Sequence, residues 1–183
     1  MSIEWKKITL EEKALLEPYY KYEQSSSCEA AFANNVLWSP FYEMEYAIVE
    51  GMLVFLTKKD GYSVSMPMAK DEVTAENLEK VLLVLEDFFA KAGQAFHMHL
   101  VTKEKYEKLE GIFPGKYSVE FNRDAADYVY EVPQMISLAG KKLHGKRNHI
   151  NKFKENNPEW SYESLSEDNL EECLQMAEEW KQK

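Results

Sequence analysis

Side chains suited to binding chemistry are densest between Lys141 and Lys154. The stretch reads Lys-Lys-Leu-His-Gly-Lys-Arg-Asn-His-Ile-Asn-Lys-Phe-Lys, with six cations, two histidines, two asparagines and no acid. The 183-residue chain around it carries a formal net charge of −10. A cationic island on an anionic chain invites a phosphate or carboxylate partner. Guanidinium and ammonium groups hold such anions through charge-assisted hydrogen bonds. Lys141, Lys142, His144, Lys146, Arg147, Asn148 and Asn151 are therefore the candidate anion- or substrate-binding residues. The competing reading is a solvated helix bonded to its own acidic neighbours.

Other chemistries fit less well. Gly140 to Arg147 approaches the phosphate-binding loop Gly-x4-Gly-Lys-Ser/Thr, but Arg147 stands where a magnesium-binding hydroxyl is needed, so nucleotide triphosphate hydrolysis is rejected. His144 and His149 are five residues apart and lie on different sides of a helix. His97 and His99 share one face of a strand, yet no third residue of metal-ligand type lies near them in sequence, and no metal site is assigned. No serine-nucleophile elbow, paired-glutamate signature or Cys/His nucleophile pattern is present, so catalytic residues stay unassigned.

The elements that must position these residues follow from pattern. Ile3–Ile8 suits a short strand. Thr9-Leu-Glu-Glu12 has capping-box spacing and opens a helix that Pro18 should limit. Ser25-Ser26-Ser27 is a loop or a helix start, and Ala30 to Trp38 suits a helix ending before Pro40. The aromatic residues from Tyr19 to Tyr46 read as core and groove wall. Tyr46–Glu50, Met52–Thr57 and Tyr62–Met66 should form an antiparallel meander. Thr74–Ala92 carries Leu78, Val81, Leu82, Leu85, Phe88 and Phe89 on one helical face, with Thr74 as cap and Gly93 as stop. Ala95–Val101 is a strand, Thr102–Glu110 a short helix, and Phe113-Pro114-Gly115 a turn. Tyr117–Phe121 and Tyr128–Val132 suit two more strands. Ile136, Ala139, Leu143, Ile150 and Phe153 form the seam of a helix carrying the basic stretch, which Asn156-Asn157-Pro158 stops.

The end of the chain echoes its beginning. Glu159-Trp160 leads to Leu165-Ser166 and then to Leu170, Cys173, Leu174, Ala177 and Trp180 on one helical face. Glu4-Trp5, Ile8-Thr9 and Ala14 to Leu16 follow the same order, a weak internal repeat. The expected organisation is an α/β domain over residues 1–135, a basic connecting helix over 136–157, and the first strand and helix of a truncated second domain over 158–183. Alternatively, residues 159–183 pack back onto the first domain.

Composition sets further bounds. A 45% hydrophobic fraction supports a real core, and the acidic balance argues against general nucleic-acid binding. The first residues lack the apolar run of a signal peptide. Cys28 and Cys173 are too few for a disulfide framework or a zinc motif, and reduced thiols in the cytoplasm are expected.

Asp127-Tyr-Val-Tyr130 and the string Ile136-Ser-Leu-Ala-Gly-Lys-Lys-Leu-His-Gly-Lys-Arg-Asn-His-Ile-Asn-Lys-Phe153 resemble a bacterial family of uncharacterised proteins similar to the C-terminal domain of phosphatidylglycerol lysyltransferases. Tyr22-Glu23, Leu37-Trp38 and the strand pattern up to Pro67 fit the same family. The resemblance implies two tandem acyltransferase-like domains of the Gcn5-related N-acetyltransferase fold, with a mixed, mostly antiparallel sheet flanked by helices. It implies transfer of an acyl or aminoacyl group, with acyl-coenzyme A or aminoacyl-tRNA as donor substrate and no cofactor resident in the chain. The implied partners are a phosphate-bearing donor, an anionic lipid and the second domain of the same protein. Specific DNA binding is not expected. The location is cytoplasmic or peripheral at the membrane.

Three functions compete on this basis. The protein is a transferase whose basic helix grips donor or lipid phosphates, a non-catalytic module that binds an anionic membrane surface or nucleic acid, or a structural unit whose cations pair with carboxylates.

Overall fold

In the computed structural model, residues 3–23 and 27–182 are described. The expected loop at Ser25 and Ser26 lies outside them. Backbone packing divides the chain into two compact units after Asp127.

The first unit is a mixed α/β layer structure. Its five strands are β1 (Lys6–Lys7), β2 (Glu45–Val49), β3 (Met52–Thr57), β4 (Ser63–Ser65) and β5 (Met98–His99), hydrogen-bonded in that order. All neighbours are antiparallel except β4 and β5, which run parallel. The helices are α1 (Lys13–Glu23), α2 (Phe32–Tyr42), α3 (Ala75–Lys91) and α4 (Lys103–Ile112).

The meander forms where the pattern places it. Glu50 and Gly51 both have positive φ, 48° and 81°, the geometry of a two-residue hairpin turn that keeps the strand twist. β3 is buried on both faces. Met52, Val54 and Leu56 meet Val81, Leu82, Leu85 and Phe89 of α3, while Leu53 and Phe55 meet Leu16 and Tyr19 of α1. Each fully buried Leu or Val side chain contributes about 1.5–3 kcal/mol. Thr74 caps α3 by accepting from the Asn77 N–H at 3.2 Å. The Thr9 capping box forms as expected and opens a 3-10 turn, Leu10–Glu12, ahead of α1.

Both prolines expected to bound helices lie inside them. Pro40 cannot donate to the Val36 carbonyl one turn back. Ser39 Oγ donates to that carbonyl instead, at 3.0 Å. α1 continues past Pro18 because Leu16 and Tyr19 are buried against the sheet. The aromatic segment divides in two. Tyr19 and Tyr46 are core. Trp38, Phe41 and Tyr42 cluster on the surface, with Lys59 Nζ 3.0 Å above the Phe41 ring.

Tyr117–Phe121 and Tyr128–Val132 are not strands. Val119, Phe121, Tyr128 and Val129 are exposed, and no described strand lies beside either segment to complete a ladder. Expected strand residues 159–165 likewise have no strand partner among the described residues and are irregular.

The second unit holds α5 (Val132–Ser137), α6 (His144–Asn156) and α7 (Leu170–Lys181). The connecting helix expected over 136–157 is not continuous. Leu138 adopts the left-handed conformation at φ 47° and Gly140 has φ 89°, and a 3-10 turn over Lys141–Leu143 then leads into α6. The stop at Asn156 and the helix from Leu170 are as expected.

Phe89→Ala removes a fully buried ring between α3 and the sheet. It is expected to lower stability by about 3–5 kcal/mol in urea unfolding.

Candidate functional site

The seven basic-stretch candidates are placed by the turn and first two helical turns of the second unit. Lys141, Lys142, His144, Lys146, Asn148 and Asn151 are exposed and Arg147 is half-buried. His144, Asn148 and Asn151 fall at helical spacing on one side of α6, and Asn148 Nδ2 lies 3.3 Å from His144 Nδ1. Lys146 and Arg147 flank the Leu143–Ile150 stripe instead. Lys146 Nζ lies 5.8 Å from the centre of the Tyr130 ring, and Lys154 Nζ lies 5.6 Å from that of Trp160.

Arg147 has a local task. Its Nη1 donates to the Leu138 carbonyl and, at 3.0 Å, to the Gly140 carbonyl. These are the carbonyls of the backbone reversal that separates α5 from the 3-10 turn. Among the described residues, none of the six cations of this stretch lies within ion-pair distance of a carboxylate. Exposed, unneutralised ammonium groups on a chain of net charge −10 are available to an external anion.

A second constellation lies in the first unit, where β4 and β5 part. The register shifts by one residue along β4: Leu56 faces Val64, while Leu53 bridges to Met68. This bulge contains Pro67, which has no N–H to give. The Phe55 N–H turns to Ser65 Oγ at 3.0 Å. β5 ends at His99, and Leu100 adopts φ 56°, an uncommon conformation for a branched side chain. A cleft of about 50 Å³ opens there, with His99, Asn35, Glu29 and the Glu23–Lys105 ion pair in its walls. Open sheets bind ligands at the carboxyl ends of parallel strands, and this is the place where β4 and β5 separate.

His99 Nδ1 lies 2.7 Å from Ser63 Oγ. Burial, reinforced by the neighbouring His97, lowers the His99 pKa from 6.5 to about 4, so the ring is neutral near pH 7. Burial and then Asp127 raise the Glu29 carboxyl. The Cys28 thiol donates to Asp127 Oδ1 at 3.2 Å, and the Cys28 N–H to Oδ2 at 3.3 Å. That hydrogen bond, then burial, raises the Cys28 pKa, the reverse of what a nucleophilic thiolate needs.

Sequence reasoning placed His97 and His99 on one strand but did not find the cleft. Its residues come from segments far apart in the chain, between Glu23 and Lys105. The available signal was the β4–α3–β5 order, which sets Ser63 and Ser65 beside His99 once the two strands pair in parallel.

A family model described as the C-terminal part of phosphatidylglycerol lysyltransferase matches residues 20–183. No curated protein matches. The crystal structure of a conserved protein of unknown function from Bacteroides thetaiotaomicron VPI-5482 is similar, with a TM-score of 0.78 and 29% identity over 98% of this chain. The chain spans 59% of that protein's length. No helix among the described residues is long and apolar enough to cross a membrane.

The His99 shift has a defined consequence for stability. The unfolded chain takes up a proton near pH 6.5 and the folded chain near 4. The His99 contribution is therefore complete above pH 6.5 and is lost as pH falls from 6.5 towards 4. NMR titration of the imidazole resonances should show His99 neutral at pH 5.5. Protonation of His99 near 6.5 contradicts its burial in the cleft wall.

Proposed function

The chain belongs to the family of phosphatidylglycerol lysyltransferase C-terminal domains, and from that membership we propose that it is part of an acyl- or aminoacyl-transferase whose basic segment grips the phosphates of the donor. The observation that carries this reading is the set of cations between Lys141 and Lys154, none of them paired with a carboxylate among the described residues. A structural role as a charge-paired helix needs those pairs. A donor such as aminoacyl-tRNA or acyl-coenzyme A brings phosphates in their place.

Transfer of an acyl group from an activated ester to an amine or hydroxyl needs no protein nucleophile. Holding donor and acceptor in reacting geometry and stabilising the oxyanion supply much of the rate. Lys141, Lys142 and Lys146 are the proposed phosphate contacts, with His144, Asn148 and Asn151 as hydrogen-bonding partners beside them. Arg147 shapes the turn that presents them. The antiparallel meander, the helical crossover and the parallel β4–β5 pair support the reading of the first unit as an acyltransferase-like fold of the Gcn5-related kind. A phospholipid acceptor places the protein peripherally at a membrane.

The test is an assay of the protein with charged tRNAs, or with acyl-coenzyme A, and a membrane lipid extract. A modified lipid or amine is the expected product. The triple variant Lys141→Glu, Lys142→Glu, Lys146→Glu should weaken donor binding at least tenfold. For a tRNA donor it should also flatten the salt dependence by about two to three units of log–log slope. Donor binding without any product reduces the protein to a binding module. Unchanged donor affinity in the triple variant removes the basic segment from the site.

A further inference from the structure

The cleft at the end of β5 has chemistry opposite to that of the basic segment. We propose that it is a binding site for the ammonium end of a primary alkyl amine.

Its unsatisfied groups are acceptors. The Glu29 carboxylate is half-buried and makes no hydrogen bond or ion pair among the described residues. Asn35 is 2% exposed. Its Nδ2 donates to Tyr20 Oη at 3.0 Å, to the Glu29 carbonyl at 2.8 Å and to the Ala31 carbonyl at 3.1 Å. Two backbone carbonyls accept only, so they fix which end of the amide is nitrogen. Asn35 Oδ1 is left without a donor among the described residues, in the wall of the cleft. An ammonium donor would supply the hydrogen bond that this oxygen and the Glu29 carboxylate lack.

The remaining groups do not oppose a cation. Lys105 is neutralised by Glu23, and His99 adds no charge near pH 7. An anion here would face Glu29, and an apolar group would leave both acceptors unpaired. Met44, Met66 and Met68 complete the wall and suit a methylene stem. The space of about 50 Å³ holds roughly three to five water-sized groups, enough for an ammonium and the first carbons of its chain. A nucleotide does not fit. The inference needs neither the transfer reaction nor the basic segment, so either can fail without the other.

The full chain labelled with 15N is titrated with butylammonium, 1-butanol and butyrate, following amide resonances. Butylammonium should saturate the Glu29, Asn35 and Leu100 signals, including the Asn35 side-chain amide. It should do so at concentrations at least tenfold below those at which either analogue acts. Glu29→Gln should weaken butylammonium at least tenfold while the Val54 and Leu85 amides keep their positions. Glu72→Gln, a charge removal at an exposed residue, should change nothing. Equal response to 1-butanol, unchanged affinity in Glu29→Gln, or shifts spread over the acidic surface overturns the site. If Glu29→Gln fails to fold, the comparison of the three ligands on the unaltered chain still decides.

Discussion

β4 and β5 meet for two residue pairs, Val64 with Met98 and Ser65 with His99, and this short parallel contact determines the layout of the first unit. Parallel neighbours cannot be joined by a tight turn, so the chain between them must cross over, and α3 is that crossover. The crossover must be apolar on one side to lie on the sheet, which accounts for Leu78, Val81, Leu82, Leu85 and Phe89. β3 then carries helices on both faces and is buried throughout from Met52 to Leu56. The same contact ends abruptly. Pro67 and the bulge turn β4 away, Leu100 turns the chain after β5, and the cleft lies between. Its polar groups are thus a consequence of where pairing stops.

In the second unit the corresponding constraint is the backbone reversal at Leu138 to Gly140. A left-handed residue and a glycine of positive φ leave two carbonyls facing one guanidinium. Arg147 serves both with one nitrogen, Nη1. The reversal separates α5 from α6 and leaves Lys141, Lys142 and Lys146 without protein partners of opposite charge among the described residues. One cation of the stretch therefore builds the local structure and the others stay available.

Much of the fold was legible in the sequence. The period of α3, the hairpin at Glu50-Gly51 and the caps at Thr9 and Thr74 are local signals, and each acts where it is written. The misread elements depended on what was not local. Pro40 sits inside a helix because Ser39 Oγ donates to the Val36 carbonyl, the hydrogen bond that proline cannot make. Tyr117–Phe121 and Tyr128–Val132 have strand composition but no neighbouring strand among the described residues. The seam from Ile136 to Phe153 has helical spacing, yet Gly140 and the unusual φ of Leu138 break it. The family resemblance carried by the basic string agrees with the match over residues 20–183. The cleft was not legible, because Ser65 and His99 meet only through the parallel pairing, while Glu29 and Asn35 come from the helical segments ahead of β2.

The central claim is that the Lys141–Lys154 segment holds the phosphates of a transfer donor. Hydrogen–deuterium exchange of the protein, with and without a non-hydrolysable aminoacyl-tRNA analogue, tests it most directly. The account predicts slowed exchange across the 3-10 turn and the first two turns of α6, reversed by added salt. Binding of the analogue with exchange in this segment unchanged would contradict it.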